Sequence, residues 1–155
     1  MTAKQELEKF LSEFEPGIAR QAKAALAKMR KMVPGAVEMV YDNYNALVIG
    51  FGPSERASLA VFSIAMFPDH ISLCFLQGAG LPDPAKRLQG AGNVARHVKL
   101  VLPGVLDDPE IRALMEVAKE RAKVKIDKKQ KRKLVIKSIS KKQRPRRPTG
   151  SQPGK

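Results

Sequence analysis

Apolar residues recur at helical spacing from the start of the chain. Leu7, Phe10, Leu11 and Phe14 follow Thr2, which with Gln5 three residues later makes a capping box, so a short amphipathic helix is expected there. Pro16 suits the first turn of a second helix. In it Ile18, Ala22, Ala25, Leu26 and Met29 form an apolar stripe opposite Arg20, Lys23, Lys28 and Arg30, and Pro34-Gly35 ends it.

From Ala36 the period drops to two. Val37, Met39 and Tyr41 share one face, Asp42-Asn43-Tyr44-Asn45 reads as a turn, and Leu47 to Phe51 returns as a second strand. Gly52 to Arg56 has turn chemistry, Leu59 to Phe67 is a β-rich run, and Pro68-Asp69 leads into His70 to Phe75. Connections this short imply an antiparallel meander, because parallel pairing needs long crossovers. A glycine- and proline-rich stretch, Gln77 to Gly92, follows, with a helical turn expected around Ala85 to Leu88. Val94 to Leu102 resumes extended character as a fifth strand. Asp107 or Asp108 then caps a closing helix with Pro109 in its first turn and Ile111, Leu114, Met115 and Ala118 as its buried stripe. The expected fold is α+β, a five-stranded antiparallel meander packed by two N-terminal helices and one C-terminal helix, over residues 1–124.

Charge changes the picture at residue 121. Lys and Arg balance Asp and Glu over residues 1–120, so the whole net charge of +14 sits in residues 121–155. There the apolar cluster Leu134-Val135-Ile136 is isolated among lysines, and Pro145, Pro148 and Pro153 punctuate the end. Such a segment buries too little apolar area to offset an ordering entropy of roughly 1–2 kcal/mol per residue, so residues 125–155 are expected to be a disordered polybasic tail. The single cysteine, Cys74, permits no intramolecular disulfide and fits a small buried hydrophobe in a reducing, cytoplasmic setting. No run of 18 apolar residues spans a membrane, and no signal-peptide pattern opens the chain.

Several local sequences occur in a telling order: Val33-Pro34-Gly35-Ala36-Val37-Glu38, Asp69-His70-Ile71-Ser72-Leu73, Gly78-Ala79-Gly80-Leu81-Pro82-Asp83-Pro84, and Leu88-Gln89-Gly90-Ala91-Gly92 before Arg96-His97-Val98-Lys99. With the order of elements, residues 4 to 122 resemble the YdhG-like domain, a family chiefly of unknown function. The resemblance implies a helix-sheet-helix sandwich, and some members are described as frataxin-like intracellular iron chaperones. This chain has Asn93 where the family pattern tends to carry a lysine.

Three candidate sites follow. For iron, the carboxylates Glu6 and Glu13 lie on one helix face, suiting a cation that takes oxygen ligands, although helix surfaces ordinarily carry such residues. No cofactor is expected, iron being the one possibility. For an unknown small ligand, Gly78, Gly80, Gly90, Gly92 and Asn93 with Arg87 and Arg96 offer a glycine-rich anion nest, or else only turn glycines. For nucleic acid, Lys128, Lys129, Lys131, Arg132, Lys133, Lys141, Lys142, Arg144, Arg146 and Arg147 supply salt-sensitive, nonspecific affinity for RNA or DNA. No Phe, Tyr or Trp follows Phe75, so the tail offers no base-stacking platform, sequence-selective single-strand recognition is not expected, and the tail reads as at most an electrostatic tether. No catalytic constellation stands out: Asp107-Asp108 reads as helix capping, and Cys74 has no basic neighbour in sequence. A non-enzymatic binding protein is the leading expectation, with a nucleic-acid-associated accessory protein as the alternative.

Overall fold

The computed structural model describes residues 1–148. Three helices, α1 (Ala3–Ser12), α2 (Pro16–Met32) and α3 (Pro109–Arg121), share one core with a mixed sheet. The strands are β1 (Val37–Asp42), β2 (Leu47–Gly52), β3 (Phe62–Met66), β4 (Ile71–Phe75), β5 (Arg96–Lys99) and β6 (Lys133–Ile139), in the order β5-β4-β3-β2-β1-β6. No helix among the described residues is long and apolar enough to cross a membrane.

Local chemistry accounts for the first elements. Thr2 and Gln5 form the reciprocal capping box at α1, and Pro16 opens α2, where its missing N–H leaves no bond unmade. β1 to β5 pair as successive antiparallel neighbours. Ile49, Phe51, Phe62, Ile64, Met66, Leu73 and Phe75 alternate onto the helix-covered face, beside Leu7, Leu11, Phe14, Leu26, Met29 and Leu114. Val37, Met39 and Tyr41 lie on the opposite face with Ala60 and Val135. Alternation therefore turns Glu38, Val40 and Asp42 toward the helices, so two carboxylates of β1 are buried.

The five-stranded meander gives way to six strands, and the disordered tail does not hold through residue 148. β6 pairs parallel to β1, from Val37 opposite Lys133 to Asp42 opposite Ile139, with a register irregularity that leaves Lys137 as the extra residue. Leu134 and Ile136 pack against the main core while Val135 joins the cluster on the other face. This cluster of three apolar residues is too short to order itself. It orders by completing an edge that β1 would otherwise leave open. Residues 149–155, which include Pro153 and Lys155, lie outside the described residues.

The crossover into β6 is held at Gly35. That residue has φ +82, and a Cβ there would stand 2.1 Å from the carbonyl oxygen of Asp127, so only glycine admits the passing backbone. Gln130 Nε2 then donates to the carbonyls of Gly35 (2.6 Å) and Pro53 (3.1 Å), fixing where the chain enters the strand.

Smaller differences have local causes. The fifth strand shortens to Arg96–Lys99, and the segment around Ala85 to Leu88 is a turn braced by the Asp83 carboxylate, which accepts from the backbone N–H groups of Arg87 and Leu88 at 2.9 Å each. Asp108 occupies the N-cap of α3 without a side-chain cap bond. Its carboxylate instead accepts from Arg87 Nη2 at 2.9 Å, while Asp107 accepts from Lys28 Nζ (2.5 Å) and Arg112 Nη2 (3.0 Å). These two hydrogen bonds hold the Asp107 carboxyl below its ordinary range, so the acid pair fastens α2 and the Arg87 loop to α3.

Candidate nucleic-acid interface

Two buried carboxylates organise the basic segment. Glu38 and Asp42 each expose only 5% of their side chain, and ionised carboxylates at that depth need cationic partners. Arg30 of α2 supplies one by clasping both oxygens of Glu38, with Nη2 at 2.9 Å and Nε at 3.0 Å, and Arg132 approaches the same group at 4.0 Å. The second comes from the far end of the chain. Arg146 Nη2 donates to Asp42 Oδ1 at 2.6 Å and to the Asn43 carbonyl at 2.7 Å, and Gln143 Nε2 reaches Asp42 Oδ2 at 3.1 Å. The Arg146 guanidinium also lies 5.2 Å from the Phe14 ring centroid, while its Nε and Nη1 are buried with no hydrogen-bond partner among the described residues. Loss of solvent raises the Asp42 carboxyl above its ordinary value, and the Arg146 charge works against that rise.

This anchorage converts the basic segment into an ordered rim. Ser140 N donates to the Asp42 carbonyl (2.8 Å) and Arg144 N to the Tyr44 carbonyl (2.9 Å), so the chain past β6 is strapped across the end of the sheet. Lys128, Lys129 and Lys131 precede β6 and Lys141 and Lys142 follow it; all five are exposed, and none makes an ion pair among the described residues. The strand between the two groups has seven residues and spans roughly 23 Å. Beside its first residues a groove of about 420 Å³ is lined, among the described residues, by Lys4, Lys23, Arg30, Arg132 and Lys133 and by two acids, Glu8 and Glu38.

The expected phosphate contacts therefore divide. Lys133 is paired with the Glu55 carboxylate, Lys137 donates to the Glu55 carbonyl at 2.9 Å, and Arg146 is buried on Asp42, so Arg146 cannot meet a phosphate while the strap is closed. Arg132, Arg144 and Arg147 remain exposed at the rim. Arg146 was legible only as one cation among many. The inward register of Asp42, opposite Val37, Met39 and Tyr41, was the signal that a buried cation had to be found for it.

The other candidate residues are placed differently. Gly78, Gly90 and Arg96 come together, but a Cβ on Gly78 would fall 2.7 Å from that of Arg96, so this glycine serves close packing. Arg96 Nη1 donates to the carbonyls of Gly92 (2.6 Å) and Ala95 (2.8 Å), which occupies its cation with its own loop. Gly80 and Gly90 take φ of +90 and +125, Asn93 is exposed, and Arg87 turns away to Asp108 and Glu110. Glu6 and Glu13 are not joined by other ligands; among the described residues no three His, Cys, Asp or Glu side chains are grouped to hold a metal ion. Burial pushes the Cys74 thiol up, only partly offset by a hydrogen bond with Ser63, which disfavours a thiolate nucleophile.

Neither a protein-family model, nor a curated protein, nor a solved structure matches this chain.

Proposed function

We propose that this protein binds nucleic acid without enzymatic chemistry, through the basic rim that β6 and its flanks build on the sheet edge. What carries the reading is the arrangement of Lys128, Lys129 and Lys131 before the strand and Lys141 and Lys142 after it, exposed and without ion-pair partners among the described residues. Lysines on an edge strand also discourage edge-to-edge pairing, but that purpose is served by one or two of them and by the bulge at Lys137. Five more at the two ends supply a polyanion with contacts spaced along a fixed support. A fixed support loses less conformational entropy on binding than a free tail, so the same charges give more affinity. The YdhG-like resemblance of residues 4 to 122 is compatible with this role, the sandwich acting as carrier for the rim.

The test is a fluorescence titration of the full chain with duplex and single-stranded oligonucleotides across a salt series. Binding should weaken steeply, with a log-log slope on duplex of about −4.5 if all five lysines meet phosphates. Replacing Lys128, Lys129, Lys131, Lys141 and Lys142 by glutamine should flatten that slope by roughly one unit for each contact removed. An unchanged slope in the variant, or affinity for anionic lipid vesicles but not for either nucleic acid, rejects the reading.

A further inference from the structure

The tail has no aromatic residue of its own, but the fold brings it to several. Ile139, Asp42, Leu47, Met66 and Ile71 are successive register partners across β6, β1, β2, β3 and β4, so the β1-β2 and β3-β4 turns lie at the end of the sheet where the strap crosses. A groove of about 510 Å³ opens there, lined by Phe67, Asp69 and His70 from one side and by Arg144, Arg147 and two prolines from the other. The rings of Phe67 and His70 are stacked, with centroids 4.5 Å apart and planes 10° from parallel. Asp69 Oδ1 lies 2.7 Å from His70 Nδ1 and fixes the imidazole orientation. Arg144 is held by its backbone bond to Tyr44 and by Nη1 to Asn45 Oδ1 at 3.5 Å, and Arg147 by Nε to the Glu13 carbonyl at 3.4 Å. Tyr44, in the adjoining turn, is 51% exposed.

We propose that this groove receives one nucleotide unit of a single strand, its phosphate near Arg144 and Arg147 and its base against the His70-Phe67 stack. The proposal rests on the nucleic-acid reading above and gives it a preference. Among the described residues the groove lining carries two guanidinium groups and one carboxylate, Asp69, which is hydrogen-bonded to His70, so its net charge favours an anion. An anion alone would not call for a flat, pre-stacked aromatic surface next to the cations; a base joined to its phosphate matches both parts. A duplex keeps its bases stacked internally and cannot offer one here. The groove therefore selects unpaired nucleic acid, whereas the lysines of the rim accept either form.

The full chain should be titrated with a labelled single strand of about 12 nucleotides, a length within the usual site sizes, and with the corresponding duplex. His70→Ala, and Phe67→Leu, which keeps an apolar contact but removes the ring, should each weaken single-strand binding about 5-fold or more and leave duplex binding unchanged. In a parallel NMR titration, the His70 Hε1 resonance should move upfield with the single strand but not with tripolyphosphate, which offers charge without a base. Wild-type affinity for the single strand in both variants, or the same His70 response to tripolyphosphate, overturns the groove while leaving the rim intact. Failure of the wild-type chain to bind either nucleic acid overturns both.

Discussion

A chain ending at Gln130 is expected to lose most of its stability and to self-associate. Deleting residues 131–155 strips β6 from β1 and exposes the backbone edge of a central strand, together with the apolar surface that Leu134 and Ile136 cover. It also takes Arg146 and Gln143 away from the Asp42 carboxylate, although Glu38 keeps Arg30. Breaking a buried pair by removing one partner costs about 3–5 kcal/mol, and uncovering partly buried aliphatic side chains adds about 1 kcal/mol or more for each. The sum approaches the 5–15 kcal/mol that typically separates folded from unfolded domains. Urea denaturation followed by circular dichroism should show a large fall in midpoint, and size-exclusion chromatography should show oligomers formed through the open β1 edge. A monomeric fragment with the full-length midpoint would mean that the segment contributes nothing to the fold.

Arg146→Ala is expected to be the most damaging single substitution in the basic segment, costing about 3–5 kcal/mol near neutral pH. The loss should depend on pH in a defined direction. Burial raises the Asp42 carboxyl above its ordinary 3.8, so between that value and the raised one the folded state binds the proton more tightly than the unfolded chain. Stability linked to this proton is present at low pH and disappears as pH climbs through the raised value. Arg146 limits the rise; without it the raised value moves further up. The gap between variant and wild type should therefore be widest at neutral pH and narrow as the solution approaches the ordinary carboxylate range. Adding Asp42→Asn to Arg146→Ala should recover part of the loss at neutral pH, since the amide is neutral. Denaturation curves at several pH values check this, and a gap independent of pH would mean that the arginine acts only through its packing on Phe14 and its bond to the Asn43 carbonyl, not through Asp42.

Most of the scaffold was legible because its signals are local. The Thr2-Gln5 capping box, Pro16, the Pro34-Gly35 stop and the short turns between Val37 and Phe75 specify their elements within a few residues. β6 was not legible for the opposite reason. Its partner β1 lies far away in sequence, the cluster Leu134-Val135-Ile136 is too short to announce a strand, and the surrounding lysines are those of a solvated tail. The decisive clue was carried by β1. Its alternation puts Glu38 and Asp42 on the covered face, and buried carboxylates in a charge-balanced domain must draw cations from somewhere. The candidate site was legible in composition only: the lysines were identified, but not which are spent on Glu55, which arginine is buried, or that Phe67 and His70 meet the strap. Those depend on register and on chain ends meeting in space.

The claim on which the rest depends is that the positive charge is held on a folded strand and strap. Amide hydrogen exchange on the full chain tests it directly. The amides of β6 that face β1, together with those of Ser140 and Arg144, should exchange far more slowly than an unstructured peptide of the same sequence, and Arg146→Ala should release Ser140 and Arg144 first. Exchange at unstructured rates from Lys133 through Arg144 in the wild-type chain would contradict the account.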